Sequence, residues 1–184
     1  MLLRVRELLD TDIPFIVRYW TESSPEHLQA MGVDLAKVPP AGAMTAHLRR
    51  QLDTPLEAKM AYCLIGELDG LPVGHCNTNP TQFGGEAYMH LHLWTTAHRG
   101  QGLGTQMVTG ALPYFFGKLQ LQRLWSQPYT LNAAPNKTLE KAGFLFDKEY
   151  VTVPGSLNFE QAVKRWLMTR EQFNTRYATS PDRS

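Results

Sequence analysis

The ten residues HRGQGLGTQM, positions 98–107, carry glycine at 100, 102 and 104 between a strand-like run ending at Trp94 and a helix-like run beginning near Gly102. The first N–H groups of a helix have no internal acceptor, and the helix dipole adds positive potential at the same end. A strand that turns through glycines into a helix is therefore a ready anion site. Without Cβ atoms, Gly100, Gly102 and Gly104 let the backbone turn sharply and approach a diphosphate closely. Arg99 adds a charge-assisted donor at the rim. The same letters also suit a plain strand-to-helix turn with glycine at positive φ, so the context has to decide.

That context is an α+β chain. "LLRVRE" alternates as an opening strand, and "DTDIPFIVRYW" reads as a helix with Asp or Thr at its N-cap and proline near its first turn. Residues 21–43, rich in proline, glycine and serine, read as a mobile, partly helical segment with a short helix near "SPEHLQAM"; "AMTAHLRRQL" is a further helix. "KMAYCLIGEL", "LPVGHCNTN" and "EAYMHLHLW" are three successive strands with turn chemistry between them. "LGTQMVTGALPYFF" puts Leu103, Met107, Val108, Ala111, Leu112 and Phe115 on one helical face, with Pro113 set to kink or shorten the helix. "LQRLWSQ" is a strand, "NAAPNKTLEKAGF" a short helix closed by Gly143, "FLFDKEYVTV" and "AVKRWLMT" the last strands, and "REQFNTRY" a terminal helical turn.

The 184 residues suit one domain, and the formal net charge of +1 gives no field pointing to nucleic acid or an anionic membrane. No apolar run reaches transmembrane length, and "MLLRVRELLD" is too charged for a signal peptide, so the expected location is the cytoplasm. Cys63 and Cys76 match no metal spacing. A two-residue hairpin turn at Asp69-Gly70 would set them directly opposite each other, as packed thiols in a reducing compartment.

Two nucleotide motifs fail. No Gly-Lys-Ser or Gly-Lys-Thr is present for a P-loop, and GxGxG in mid-chain after antiparallel-type strands is not a dinucleotide fingerprint. The pattern that fits is RxxGxG, Arg99 to Gly104, followed by "NAAPNKTLEKAGF" with Asn132 eleven residues before Gly143-Phe144. Together these resemble the GNAT superfamily of N-acetyltransferases. "GQGLGT" and "EKAGF" look most like its aminoglycoside and siderophore-lysine branch, with the ribosomal-protein type also similar. The resemblance is good over residues 60–170 and only an outline before that. It implies one GNAT-like domain over 1–184, with a central mixed, mostly antiparallel sheet of six to seven strands flanked by helices and splayed at the cofactor strand.

It further implies an acetyl-CoA-dependent N-acetyltransferase working by direct attack in a ternary complex. The acceptor would be a primary amine of a small polar molecule, or a protein amino terminus second, and the protein a monomer or homodimer. Acetyl-CoA would meet Arg99, Gly100, Gln101, Gly102, Leu103, Gly104 and Thr105. Leu93 and Trp94, with His92, would bind the pantetheine arm and thioester through their backbone, although Trp94 stands where the family often has a small aliphatic. Asn132 fits the family's pantetheine-binding Asn or a plain N-cap, and Lys137 a phosphate contact or a solvated lysine. No metal is implied. An amine with a pKa near ~10 must lose a proton to attack, and histidine is a base suited to neutral pH. His90, twelve residues before Gly102, holds a position where similar enzymes place Asp or His, and His92 shares its strand face. Both also suit structural histidines. Glu86 reads as a solvated strand-end residue, and His27, His47, His75 and His98 have no motif behind them. The family's tyrosine hydroxyl is replaced by Leu139 and a serine by Pro135, leaving Tyr129, Thr138 or water as proton donors to the leaving thiolate. A non-catalytic acyl-CoA-binding module is the competing reading, a domain holding another phosphate ligand a third. The acceptor pocket is expected from residues 20–55, the face of the histidine strand and the loop "PGSLNFEQ".

Overall fold

A computed structural model describes residues 2–94 and 100–177. Seven strands run as β1 (Leu3–Glu7), β2 (Tyr62–Leu68), β3 (Leu71–Thr81), β4 (Glu86–Leu93), β5 (Arg123–Ser126), β6 (Leu145–Thr152) and β7 (Gln161–Thr169). They form one sheet in the order β1-β2-β3-β4-β5-β7-β6. Only β4 and β5 pair in parallel; every other neighbour is antiparallel. The sheet is thus mixed and mostly antiparallel, as the sequence suggests. The helices are α1 (Ile13–Glu22), α2 (Pro25–Ala30), α3 (Ala41–Asp53), α4 (Leu103–Pro113), α5 (Ala133–Lys141) and α6 (Arg170–Tyr177).

The sheet separates two apolar cores. Leu64, Cys76, Met89 and the buried face of α4 lie on one side. The stripe foreseen on α4, Leu103 to Phe115, is buried throughout, as the 3.6-residue period requires. Pro113 ends α4, and the chain continues through a π-helical turn over Tyr114–Lys118. On the other side Cys63 and Ile65 pack with Ile16, Tyr19, Trp20, Met44 and Leu48 from α1 and α3. The segment after α1 carries α2 and is hydrogen-bonded to the chain that follows β6: Asp34 N–H donates to Leu157 O (2.8 Å), and Asn158 Nδ2 and Gln161 Nε2 donate to Gly32 O (2.9 and 2.8 Å).

The β2–β3 hairpin corrects one expectation. Its turn is the anticipated pair, Asp69 and Gly70 at φ 51° and 79°. A bulge beside Gly66 and Glu67 then shifts the register by one, so Cys63 faces Asn77 and Leu64 faces Cys76. One inserted residue sends a strand's side chains to opposite faces. The two cysteines therefore lie on opposite sides of the sheet, both buried and both free.

Candidate active site

β5 accompanies β4 only over Glu86↔Arg123, Ala87↔Leu124 and Tyr88↔Trp125. Beyond that the Ser126 hydroxyl donates to Met89 O (3.0 Å) and the strands part. The gap is a cleft of about 110 Å³. Met89 to His92 form one wall, Ser126 to Tyr129 the other, and Asn132, Pro135, Thr138 and Leu139 the α5 side. Among the described residues β4 has no strand partner on this side from His90 onward, so its backbone edge could take an extended ligand.

The glycine loop enters at the same place. Gly100 and Gly102 sit at φ 79° and 78° in the left-handed region, Gly102 as the N-cap of α4. The N–H of Gln106 closes the first helical bond to Gly102 O (3.0 Å), so the amides of Leu103, Gly104 and Thr105 have no intrahelical acceptor. Gly104 is the point of close packing. A Cβ there would stand 3.1 Å from Thr138 Oγ1 and 3.7 Å from Leu91 Cδ2, which fixes the start of α4 against α5 and β4. Gln101 is exposed, Thr105 half-buried, and the Leu103 side chain buried in the core. Asn132 is the N-cap residue of α5 yet its side chain makes no capping bond, and it lines the cleft. Lys137 is exposed on α5 and lines no cavity. Leu93 and Trp94 do not line the cleft either: Leu93 packs on the α4-side core, and Trp94 turns to the other side against Phe15. Arg99 and His98 lie outside the described residues.

A second cavity, of about 640 Å³, opens on the α1–α3 side of the sheet. Ile16, Trp20, Met44, His47, Leu48 and Gln51 come from the helices, Cys63, His75 and Asn77 from β2 and β3, and Gly155 to Leu157 from the loop after β6. Trp20, His90, His92 and Leu157 belong to both cavities. The two histidines thus stand where cleft and cavity meet.

His90 is oriented by its neighbour strand. Its Nε2–H donates to the carbonyl of Asn79 (3.0 Å), which leaves Nδ1 as the nitrogen with the lone pair. Burial pushes its pKa below the usual 6.5, partly offset by that hydrogen bond. A neutral imidazole with a free lone pair is the state a general base needs. His92 is held otherwise: Nδ1 is 3.4 Å from the Tyr19 hydroxyl, and its ring stacks on His75 with centroids 4.6 Å apart. Burial, then the neighbouring His75, His90 and His27, keep it well below 6.5. His75 is fully enclosed and pushed down to about 3 by burial first and His90 second. Its Nδ1 accepts from Trp94 Nε1 (2.8 Å), which gives the bulky indole a role. Glu86 is tied at the far end of β4, 3.2 Å from Arg123 and accepting from Trp125 Nε1.

Of the four histidines without a motif, His75 and His47 line the larger cavity, His27 meets the Tyr19 ring, and His98 lies outside the described residues. His75 was findable: the β3–β4 pairing sets it opposite His92 and Asn77 opposite His90. Tyr19 and Trp20 carried no signal beyond helix periodicity. On the α5 side of the cleft Leu139 is buried and offers no hydroxyl, whereas Tyr129 and Thr138, which also line it, each carry one.

The family description "Acetyltransferase (GNAT) domain" matches residues 3–145. The chain belongs to the GNAT acetyltransferase family. Solved structures agree on the fold. RimL, a ribosomal L7/L12 alpha-N-protein acetyltransferase in complex with coenzyme A, superposes with TM-score 0.75 at 14% identity, covering 94% of this chain and 96% of its own. Spermidine N-acetyltransferase from Vibrio cholerae, with CoA and spermine, gives 0.75 at 16% identity, covering 93% and 97%. AAC(6')-Ib with ribostamycin and coenzyme A gives 0.74 at 17%, covering 98% and 100%. No curated protein sequence matches the chain significantly.

Proposed function

We propose that the protein transfers the acetyl group of acetyl-CoA to the amine of a small acceptor, by direct attack in a ternary complex. The observation that carries this is the meeting of two cavities at His90 and His92. One cavity has an open strand edge and a glycine-capped helix start; the other has room for an acceptor. The glycine loop and the α4 amides suit a diphosphate, the unpaired edge of β4 suits the amide-bearing pantetheine arm, and Asn132 stands beside it. His90, neutral and with Nδ1 free, takes the amine proton directly or through water. The amine nitrogen bonds to the carbonyl carbon as the C–S bond breaks, and the thiolate leaves with the sulfur's electrons. Tyr129, or water, returns a proton to it. Neighbouring folds that carry coenzyme A, and act on spermidine or bind an aminoglycoside, support the reading. It assigns the protein to the cytoplasm, where the free thiols Cys63 and Cys76 persist. The described residues hold no helix long and apolar enough to cross a membrane.

The enclosed, hydroxyl-free Leu139 favours a second reading, a non-catalytic acyl-CoA-binding module. One experiment separates them. Calorimetric titration should show acetyl-CoA and CoA binding while ATP and NAD do not, and a panel of amines should release free thiol with at least one member. Binding without thiol release selects the module; no CoA binding overturns both.

A further inference from the structure

We infer that the acceptor cavity selects an uncharged apolar body bearing a single, weakly basic α-amine, and excludes polycations. This rests on the acetyltransferase reading above and names its substrate class.

The wall chemistry carries the inference. Among the described residues that line the 640 Å³ cavity there is no Asp, Glu, Lys or Arg. Its titratable groups are His47, His75, His90, His92 and the Cys63 thiol. Burial keeps His75, His90 and His92 neutral and pushes the Cys63 thiol up to about 12. The acidic residues of the surrounding segments are elsewhere. Glu22 lies beside Arg18, Asp34 caps a 3-10 turn and faces Lys37, and Glu26, Asp53, Glu57 and Glu160 are exposed outside the lining.

An ammonium group taken from water into such a site finds no counter-charge, and each further ammonium repeats the desolvation loss. The acceptor must therefore arrive neutral. At pH 7.5 roughly a third of an α-amine with pKa near ~7.8 is neutral, against roughly one in 800 for a lysine-type amine near ~10.4. Among the described lining residues there is likewise no Lys or Arg to pair an α-carboxylate, which disfavours a free amino acid. Trp20, Met44, Leu48 and Leu157 offer apolar surface instead, and the volume lies within the ordinary range for small-molecule sites.

The test uses the full chain with acetyl-CoA at pH 7.5, following free thiol and product mass. The acceptors are phenylalaninamide, phenylalanine, spermidine and ribostamycin. We expect kcat/KM for phenylalaninamide to exceed that for each of the other three by at least tenfold. Gln51→Glu, which adds a carboxylate to the α3 wall, should shift the spermidine-to-phenylalaninamide ratio upward by about tenfold. Spermidine or ribostamycin used as well as phenylalaninamide by the unaltered protein overturns the inference, as does a ratio untouched by Gln51→Glu. If acetyl-CoA binds by calorimetry yet none of the four is acetylated or bound, the inference fails while the cofactor reading stands. If acetyl-CoA itself does not bind, the acetyltransferase reading is what fails.

Discussion

On the α4 side of the sheet the protein offers backbone: two left-handed glycines, three helix amides without an intrahelical acceptor and the edge of β4 that β5 leaves. On the α1–α3 side it offers side chains: a cavity of imidazoles, amides and apolar surface without a formal charge among its described walls. The proposed function accounts for the difference, since one side would hold a phosphate-bearing cofactor and the other the acceptor. A phosphate-bearing ligand common to a whole family is recognised through amides, which any sequence has once glycine permits the turn. An acceptor that varies between relatives is recognised through side chains set by packing, as the lack of charge here illustrates beside folds that carry spermine or ribostamycin. One region is constrained by geometry, the other by chemistry.

The largest effect should come from breaking the backbone side. Gly102 sits at φ 78°, and a β-branched residue in the left-handed region costs about 1–3 kcal/mol, which a folded domain can absorb. Among the described residues nothing stands within 4 Å of a Cβ built there. The obstruction falls on a ligand. Gly102→Val should weaken CoA binding more than about 100-fold, by steric exclusion and tilting of the α4 amides, while circular dichroism stays native. Unchanged CoA affinity in a folded variant would mean that the loop is only a turn.

The side-chain region is tested at the junction. His90→Ala should lower kcat/KM by about 10²-fold, in the usual range for general-base catalysis, with acetyl-CoA affinity nearly unchanged. Because burial depresses the His90 pKa, the base is deprotonated and active below pH 6.5. The wild-type rate should therefore fall only once pH drops through that lowered value, and the limb should vanish in the variant. The acceptor's own deprotonation raises the rate at higher pH in both proteins, so one acceptor must serve for both profiles. Profiles that share their lower limb and differ less than threefold would make His90 structural and move the question to His92.

The same contrast explains what the sequence disclosed. The glycine turn into α4 was legible because left-handed backbone at a helix start calls for glycine, here Gly100 and Gly102. The buried stripe of α4 was legible because helical period and burial are coupled. The cysteine pairing was misread because a bulge at Gly66 leaves no mark in the alternation it disrupts. Trp94 looked like a departure at a cofactor position; its partner His75 lies nineteen residues away across a hairpin, and only the register brings the two together. The cavity's lack of charge was the least legible property. It depends on which of many scattered carboxylates the fold turns outward, and local pattern does not report that.

The smallest expected effect, a slope of stability with pH, tests whether the histidine side is held neutral by the fold. His75 is 3% exposed, and its pKa is pushed down to about 3. In the unfolded chain an ordinary histidine titrates near ~6.5. Between those values the unfolded state binds a proton that the native state refuses, so stability falls as pH falls, by up to about 1.4 kcal/mol per pH unit for one histidine. Above pH 6.5 neither state is protonated and the contribution is flat. His75→Gln keeps an acceptor for the Trp94 indole and removes the titration. Urea unfolding at several pH values from 8 to 4.5 should give a wild-type curve that steepens below 6.5, and a variant curve shallower by about one proton's worth. Carboxylates also titrate at the acid end, and they do so in both proteins, so the difference between the curves isolates His75. A constant offset from the substitution leaves the slope untouched. Parallel curves would mean that His75 takes up its proton in the folded protein, which would put positive charge at the wall His92 leans on and remove the basis for a cavity that receives its amine uncharged.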